Sequence, residues 1–171
     1  MTQRRYRYVG PADLLAAVRA GEEGHPIRSP ADLVVWSSGR GDTELDEPFT
    51  YIVDLAGTLR LAPRRSEHVA CAGGASVLGA GEVTFRRERG CWVVDEISNQ
   101  STGYCPDVTS WSAARDALER AGLDHPGGFT HPVVFRRCPA CHERNIVRDD
   151  DFHCALCDTE LPATWNMDSR T

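Results

Sequence analysis

Residues 138–157, running from Cys138-Pro139-Ala140-Cys141 to Cys154-Ala155-Leu156-Cys157, decide how the C-terminal part of this chain folds. Two Cys-x-x-Cys pairs stand 12 residues apart. That spacing lets four thiolates close round one tetrahedral ion at S–Zn distances of about 2.3 Å. Each pair predicts a tight knuckle, and the interval from His142 to His153 is long enough for one hairpin. Asn145-Ile146-Val147-Arg148 reads as its first strand, Asp149-Asp150-Asp151 as the turn and Phe152 as the start of the return. A redox or disulfide pairing is the competing reading. Four sulfur ligands leave no position for water. The expectation is therefore a structural rather than a catalytic Zn²⁺ on Cys138, Cys141, Cys154 and Cys157. His142 and His153 flank the knuckles and are expected to be bystanders.

This segment resembles a zinc ribbon, taken here as residues 136–165, and the resemblance implies a metal-stapled unit of a kind that often serves as an adaptor. Outward from it, the chain has the composition of a soluble globular protein, 41% hydrophobic and 26% charged over 171 residues. No run approaches the roughly 20 apolar residues of a membrane span, and Met1 to Arg5 does not begin an apolar leader. Seven cysteines, four of them claimed by metal, point to a reducing cytosol. The net charge of −6 argues against life on nucleic acid phosphates. The arginine pairs near 4–7, 64–65, 86–87 and 136–137 read as solvated strand ends. Every basic residue is arginine, so Schiff-base chemistry on lysine is excluded.

The N-terminal region, 1–47, predicts a strand over Arg4 to Val9. Gly10-Pro11-Ala12-Asp13 starts a helix with proline in its first turn, Leu14, Leu15 and Val18 as its stripe and Gly21 as its stop. Glu22 to Arg28 reads as a loop. Ser29-Pro30-Ala31-Asp32 opens a second helix with a serine cap and an acid in its first turn, and Ser37 to Pro48 reads as a loop. A central domain, 48–135, holds two hairpins. The first joins Phe49–Leu55 to Leu59–Ala62, and the second joins Glu82–Arg87 to Cys91–Ile97 through Glu88-Arg89-Gly90. Ser110 should cap an amphipathic helix with Trp111, Ala114, Leu118 and Ala121 on one face, an Asp116–Arg120 pair, and Gly122 as its stop. Phe129 to Phe135 is expected as a last strand, with the ribbon docked directly after it and a tail at 166–171.

Two polar, glycine-rich stretches bracket the second hairpin: Ser66 to Gly74, read as neither strand nor helix, and Ser98 to Pro106. Glycine lets backbone approach a ligand, and small side chains offer donors and acceptors. Hairpin closure brings both stretches to one sheet edge, a natural place for a site. His68 is the candidate base, Glu82 its acid partner, Tyr104 a stacking group and Cys105 a nucleophile. Ser98, Asn99, Gln100, Ser101 and Thr102 are the candidate ligand-binding residues. Cys71 and Cys91 read as small buried hydrophobes.

Ala80-Gly81-Glu82, the hairpin, and Ser98-Asn99-Gln100-Ser101 with Tyr104 and Pro106 resemble a stretch of some bacterial secreted-toxin proteins and plant IQ-motif proteins. There the pattern runs Ala-Gly-Glu or Ala-Gly-Arg, then Ser-Gly-His-Tyr-x-Pro. Aligned on Ser101, Tyr104 and Pro106, this chain carries Thr102 and Gly103 where those families carry glycine and histidine. The resemblance implies a shared β-hairpin module and no activity.

The expected fold is α+β: a mostly antiparallel sheet with a packed helix, two short N-terminal helices alongside and a C-terminal four-cysteine zinc ribbon. The expected function is a cytosolic, zinc-stabilised binding or adaptor protein. It would recognise a protein partner or a small polar ligand through the 66–74 and 98–106 loops. A small transferase or hydrolase using His68, Glu82, Tyr104 and Cys105 on a nucleotide-like or amide substrate is the alternative. A second is nucleic-acid binding through Arg136, Arg137, Arg144 and Arg148, expected on one face of the ribbon. No membrane role is expected.

Overall fold

The computed structural model describes residues 2–168, so Met1 and the end of the predicted tail, residues 169–171, lie outside the described residues. Pro11 leads into α1 (Ala12–Ala16), which stops well before Gly21. The stretch expected as a loop contains a short strand, β1 (His25–Ile27). Ser29 then caps α2 (Pro30–Ser38) as expected, its side-chain oxygen accepting from the Asp32 N–H at 3.1 Å. A one-turn α3 (Asp42–Leu45) interrupts the second predicted loop. The first hairpin is β2 (Phe49–Val53) with β3 (Leu59–Ala62). α4 (His68–Cys71) is a single helical turn where the glycines suggested irregular chain. The second hairpin is β4 (Gly79–Glu88) with β5 (Cys91–Ile97), and α5 (Trp111–Arg120) follows. The last two strands are β6 (Val134–Arg137) and β7 (Arg144–Val147). The protein is thus α+β with a mostly antiparallel sheet and a C-terminal cysteine cluster.

The main sheet runs β1-β3-β2-β4-β5, every neighbour antiparallel, with β2 at its centre. All five residues of β2 are buried, because both faces of the sheet are covered. Phe49, Tyr51 and Val53 face one side, with Leu118, Ala114 and Ala117 of α5 and Leu33 of α2. Ile52 faces the other side, with Ala80, Val69 of α4, Tyr6 and Tyr104. The two N-terminal helices therefore part company. α1 sends Leu14 to the second face, whereas α2 packs Leu33 and Trp36 on the first. Val34 and Val35 of α2 point outward, 52% and 66% exposed, so of the apolar run 33–36 only Leu33 and Trp36 pack inward.

Local rules failed where a distant partner outbid a near one. Only Tyr6 of the predicted first strand pairs, and it pairs with Val77. The predicted Asp116–Arg120 pair does not form. Asp116 instead accepts from Gln3 and Arg115, while Arg120 donates to the Ala56 and Gly57 carbonyls. The strand expected from Phe129 begins only at Val134, since Thr130 is drawn sideways to Ile97. The β4–β5 turn follows expectation, with Arg89 and Gly90 both at positive φ.

Candidate functional site

The cysteine pairs build two knuckles of the same backbone design. In the first, the Cys138 N–H donates to the Glu143 carbonyl and the His142 N–H to the Cys138 carbonyl, at 2.8 and 3.0 Å. In the second, Cys154 and Thr159 make the first bond and Asp158 and Cys154 the second, both at 2.9 Å. His142 and Asp158 hold matching positions at φ 63° and 62°. This curl turns both thiols of each pair to one side. The four Sγ atoms lie within 4.8 Å of one another, and Cys138–Cys157 and Cys141–Cys154 are each 3.5 Å apart. A disulfide would hold two of them at about 2.05 Å. The edge of an S₄ tetrahedron around a zinc-sized ion is about 3.8 Å, which the observed spacing approaches. The cluster can hold a metal ion.

Buried Asn145 braces this arrangement. Its amide donates towards Cys154 Sγ at 3.5 Å and its carbonyl oxygen accepts the Ala155 N–H at 2.9 Å. Thr159 meets Cys157 Sγ at 3.3 Å. Asn145 was expected only as a strand residue and Thr159 was not expected to take part, although alternation along β7 puts Asn145 and Val147 on one face. The expected turn closes, the Asp151 N–H bonding the Arg148 carbonyl at 2.9 Å, but the return strand leaves β7 after that one bridge. Phe152 and His153 pair instead with Leu161 and Glu160.

The ribbon sits on the 98–106 loop. Cys105, Phe135 and Met167 form a small core with Trp165 and Ile146 against it. Trp165 Nε1–H donates to the Cys105 carbonyl at 2.8 Å, and Arg144 donates to the Thr102 carbonyl. Asn99, fully buried, donates to the Pro106 and Val133 carbonyls at 2.9 and 2.8 Å and accepts from the Val133 N–H at 2.7 Å. Ser101 caps the loop's own turn, its carbonyl accepting from Cys105 N–H at 2.7 Å and its hydroxyl oxygen from Tyr104 N–H. Arg136 is buried rather than displayed, donating to the carbonyls of Phe135, Pro162 and Ala163. Burial pushes its pKa down. The four arginines expected to form a basic face are therefore split, because Arg136 is the side chain that ties the chain's end to β6.

The expected catalytic set is distributed over different surroundings. His68, partly buried, donates from Nε2 to the Gly81 carbonyl at 2.8 Å, and burial lowers its pKa despite nearby Glu82. Gly81 is required there, because a Cβ would lie 2.0 Å from the Ser98 carbonyl oxygen. Tyr104 is buried in the cluster beneath α4, its hydroxyl donating to Ala75 at 2.6 Å, and burial raises its pKa. Cys105 belongs to the other cluster, under Trp165. Its thiol donates to the Thr102 carbonyl, and burial pushes its pKa up to about 11. The structure brings His68 and Glu82 into electrostatic contact and holds Cys105 elsewhere.

Glu82 opens onto a cleft of about 240 Å³ shared with Thr84, Glu96, Ser98, Gln100 and His131. Thr84 pairs with Glu96, and the Ser98 N–H bonds the Glu82 carbonyl, so these four alternate onto one face of the hairpin. Ser98 is itself buried, its hydroxyl oxygen accepting from the Glu82 and Gln100 N–H groups. Alternation could have added Glu96 to the predicted list. His131 could not have been found that way, since it arrives by a bridge to Ser98 from beyond α5. Thr102 is exposed and remote from the cleft lining, facing the ribbon through its carbonyl. Cys91 is exposed in the β4–β5 turn rather than buried.

No helix among the described residues is long and apolar enough to cross a membrane. No family model, no curated protein and no solved structure matches the chain. The likeness to zinc ribbons accordingly rests on the four cysteines and their knuckles.

Proposed function

We propose that the protein is a binding module stapled by one structural Zn²⁺ on Cys138, Cys141, Cys154 and Cys157. It engages a small polar ligand or a polar segment of a protein partner at the Glu82–His131 cleft. The all-thiolate set suits zinc and leaves no open coordination position, so the metal's role is to hold the fold. The observation that carries the binding reading is the different use of the polar groups. His68, Tyr104, Cys105, Asn99 and Ser101 are engaged in internal hydrogen bonds. Glu82, Glu96 and Gln100 line open space, together with Thr84, whose hydroxyl oxygen accepts the Glu96 N–H, and His131, whose Nδ1 meets the Thr130 hydroxyl. The alternative, a transferase or hydrolase acting on a nucleotide-like or amide substrate through Cys105, needs a nucleophile and base within hydrogen-bond reach, and a raised Cys105 pKa in a separate cluster works against it. The reading keeps the 98–100 end of the second predicted loop and reassigns 101–106 to ribbon docking.

The test is a ¹⁵N NMR titration of the zinc-loaded chain with a panel of sugars, nucleosides and amino-acid amides. A saturable ligand should shift amides of residues 82–84, 96–100 and 131, and Glu82→Gln should change its affinity several-fold. Saturable shifts mapping only to other surfaces would refute the cleft as the binding site.

A further inference from the structure

The β4–β5 hairpin carries two neighbouring rungs of the same make on the face that lines the cleft. In one, Glu82 of β4 stands beside Ser98, just past the end of β5; in the other, Thr84 of β4 pairs with Glu96 of β5. Each rung holds one carboxylate and one hydroxyl, in opposite order on the two strands. Both hydroxyl oxygens are committed to the backbone. The Ser98 oxygen accepts the N–H groups of Glu82 and Gln100 at 3.3 and 3.2 Å, and the Thr84 oxygen accepts the Glu96 N–H at 3.0 Å. Neither hydroxyl proton has an acceptor among the described residues. A serine hydroxyl has two lone pairs and one proton. With both lone pairs of Ser98 in use, its proton is the one group it still offers, at a cleft wall where Ser98 is only 6% exposed. A buried donor left unmade costs free energy that an acceptor entering the cleft recovers.

The two carboxylates are likewise unmet. On an antiparallel ladder Glu82 and Glu96 are diagonal neighbours, about 7 Å apart. Neither has a cation within ion-pair reach among the described residues. Arg86, the next basic residue along β4, is engaged by Glu88 and Asp95, and Arg87 lies over the Trp92 ring. His68 feels Glu82, but burial holds it towards its neutral form. His131 is tied through Nδ1 to Thr130 at 3.0 Å, and its Nε2 is unbonded. Two uncompensated carboxylates on one wall attract a cation between them. Among the described residues only the four cysteines gather three or more ligand atoms closely enough for a metal ion, so the cation that suits this cleft is organic. At about 240 Å³ the cleft is smaller than the pockets that hold drug-sized ligands. Its occupant is therefore small.

Resting on the reading of this cleft as the binding site, we infer that its ligand is a small hydroxylated amine. The ammonium sits between the Glu82 and Glu96 carboxylates, and oxygen atoms of the same molecule accept from the Ser98 and Thr84 hydroxyls. Ammonium-to-carboxylate hydrogen bonds are charge-assisted, roughly twice as strong as neutral ones. Gln100 offers both a donor and an acceptor for a further hydroxyl. A neutral polyol meets the two hydroxyl donors and leaves the carboxylates without a counter-charge. An alkylamine does the reverse and leaves the Ser98 proton unmet. An anion is repelled by both acids. Only a molecule that carries the positive charge and the oxygen acceptors together answers both rungs.

The probe is glucamine, which is sorbitol with one terminal hydroxyl replaced by an amine. It is titrated to about 10 mM into the ¹⁵N-labelled, zinc-loaded full chain at neutral pH. Sorbitol lacks its charge and hexylamine lacks its hydroxyls, so the three compounds separate the two requirements. Glucamine should shift the amides of residues 82–84 and 96–100 saturably, with each analogue about tenfold weaker or more. Glu96→Gln, at an exposed side chain, should weaken glucamine about threefold and leave sorbitol unchanged. Glu82→Gln and Glu96→Gln together should bring glucamine down to the level of sorbitol. If sorbitol saturates the same amides as tightly as glucamine, the inference is overturned while the cleft stands as a site for neutral ligands. If hexylamine matches glucamine, it is overturned as charge attraction to an acidic surface alone. Glucamine shifts that are absent, or confined to other surfaces, overturn the inference; if every other ligand also leaves the 82–84 and 96–100 amides unmoved, the cleft reading falls with it.

Discussion

Beneath α5, the main sheet gathers a continuous apolar layer from Ile27 through Tyr51, Phe85 and Leu118 to Leu123. Around the cysteines, the buried cluster consists of Cys138, Cys154 and Leu161, two of which are candidate metal ligands. The first region can be held by removal of apolar surface from water, at about 25 cal/mol per Å². The second has too little to remove. What keeps its knuckles curled is backbone hydrogen bonding, Asn145, and whatever the four sulfurs hold. Between them lies a seam made from the 98–106 loop, Trp165 and Asn99. The lesson is that one chain can use two independent sources of order, joined by a seam with its own small core and a buried asparagine.

Leu118→Ala should break the first region while sparing the second. Leu118 is 0% exposed, and leucine-to-alanine changes in such sites cost on the order of 2–5 kcal/mol. Denaturant unfolding should show that loss, with bound metal per folded chain unchanged. Asn99→Ala should act on the seam, with a smaller effect. It leaves the buried Pro106 carbonyl and the half-buried Val133 carbonyl and N–H without their present partner, for about 2 kcal/mol. Exchange should rise at residues 98–106 and 133–137 before it rises in β2.

Legibility in the sequence tracked the range of the interaction. The cysteine spacing, the serine cap on α2 and the Arg89-Gly90 turn are local rules, and all three reappear in the structure. β1 was hidden because three residues carry no period, and it exists only by pairing with β3. α4 was hidden by the glycines after it, Gly73 and Gly74, which follow the helical turn at positive φ. At the candidate site, Glu82, Ser98 and Gln100 were named from the sequence and line the cleft, while His131 required knowing which distant segment crosses Ser98. Cys105 and Tyr104 looked chemical because a Tyr-Cys-Pro turn in a polar loop does not disclose that both side chains are buried on opposite sides of it.

The most direct test of the two-source account is hydrogen exchange on the full chain, as purified with its metal and again after chelation. The account predicts one Zn²⁺ per chain and protected amides at Cys138, His142, Cys154 and Asp158 in the loaded protein. After chelation those amides and the 98–106 seam should exchange rapidly, while β2, β3 and β4 keep their protection. A chain purified without metal whose knuckles are nonetheless protected would contradict it, and so would loss of the main sheet together with the ribbon on chelation.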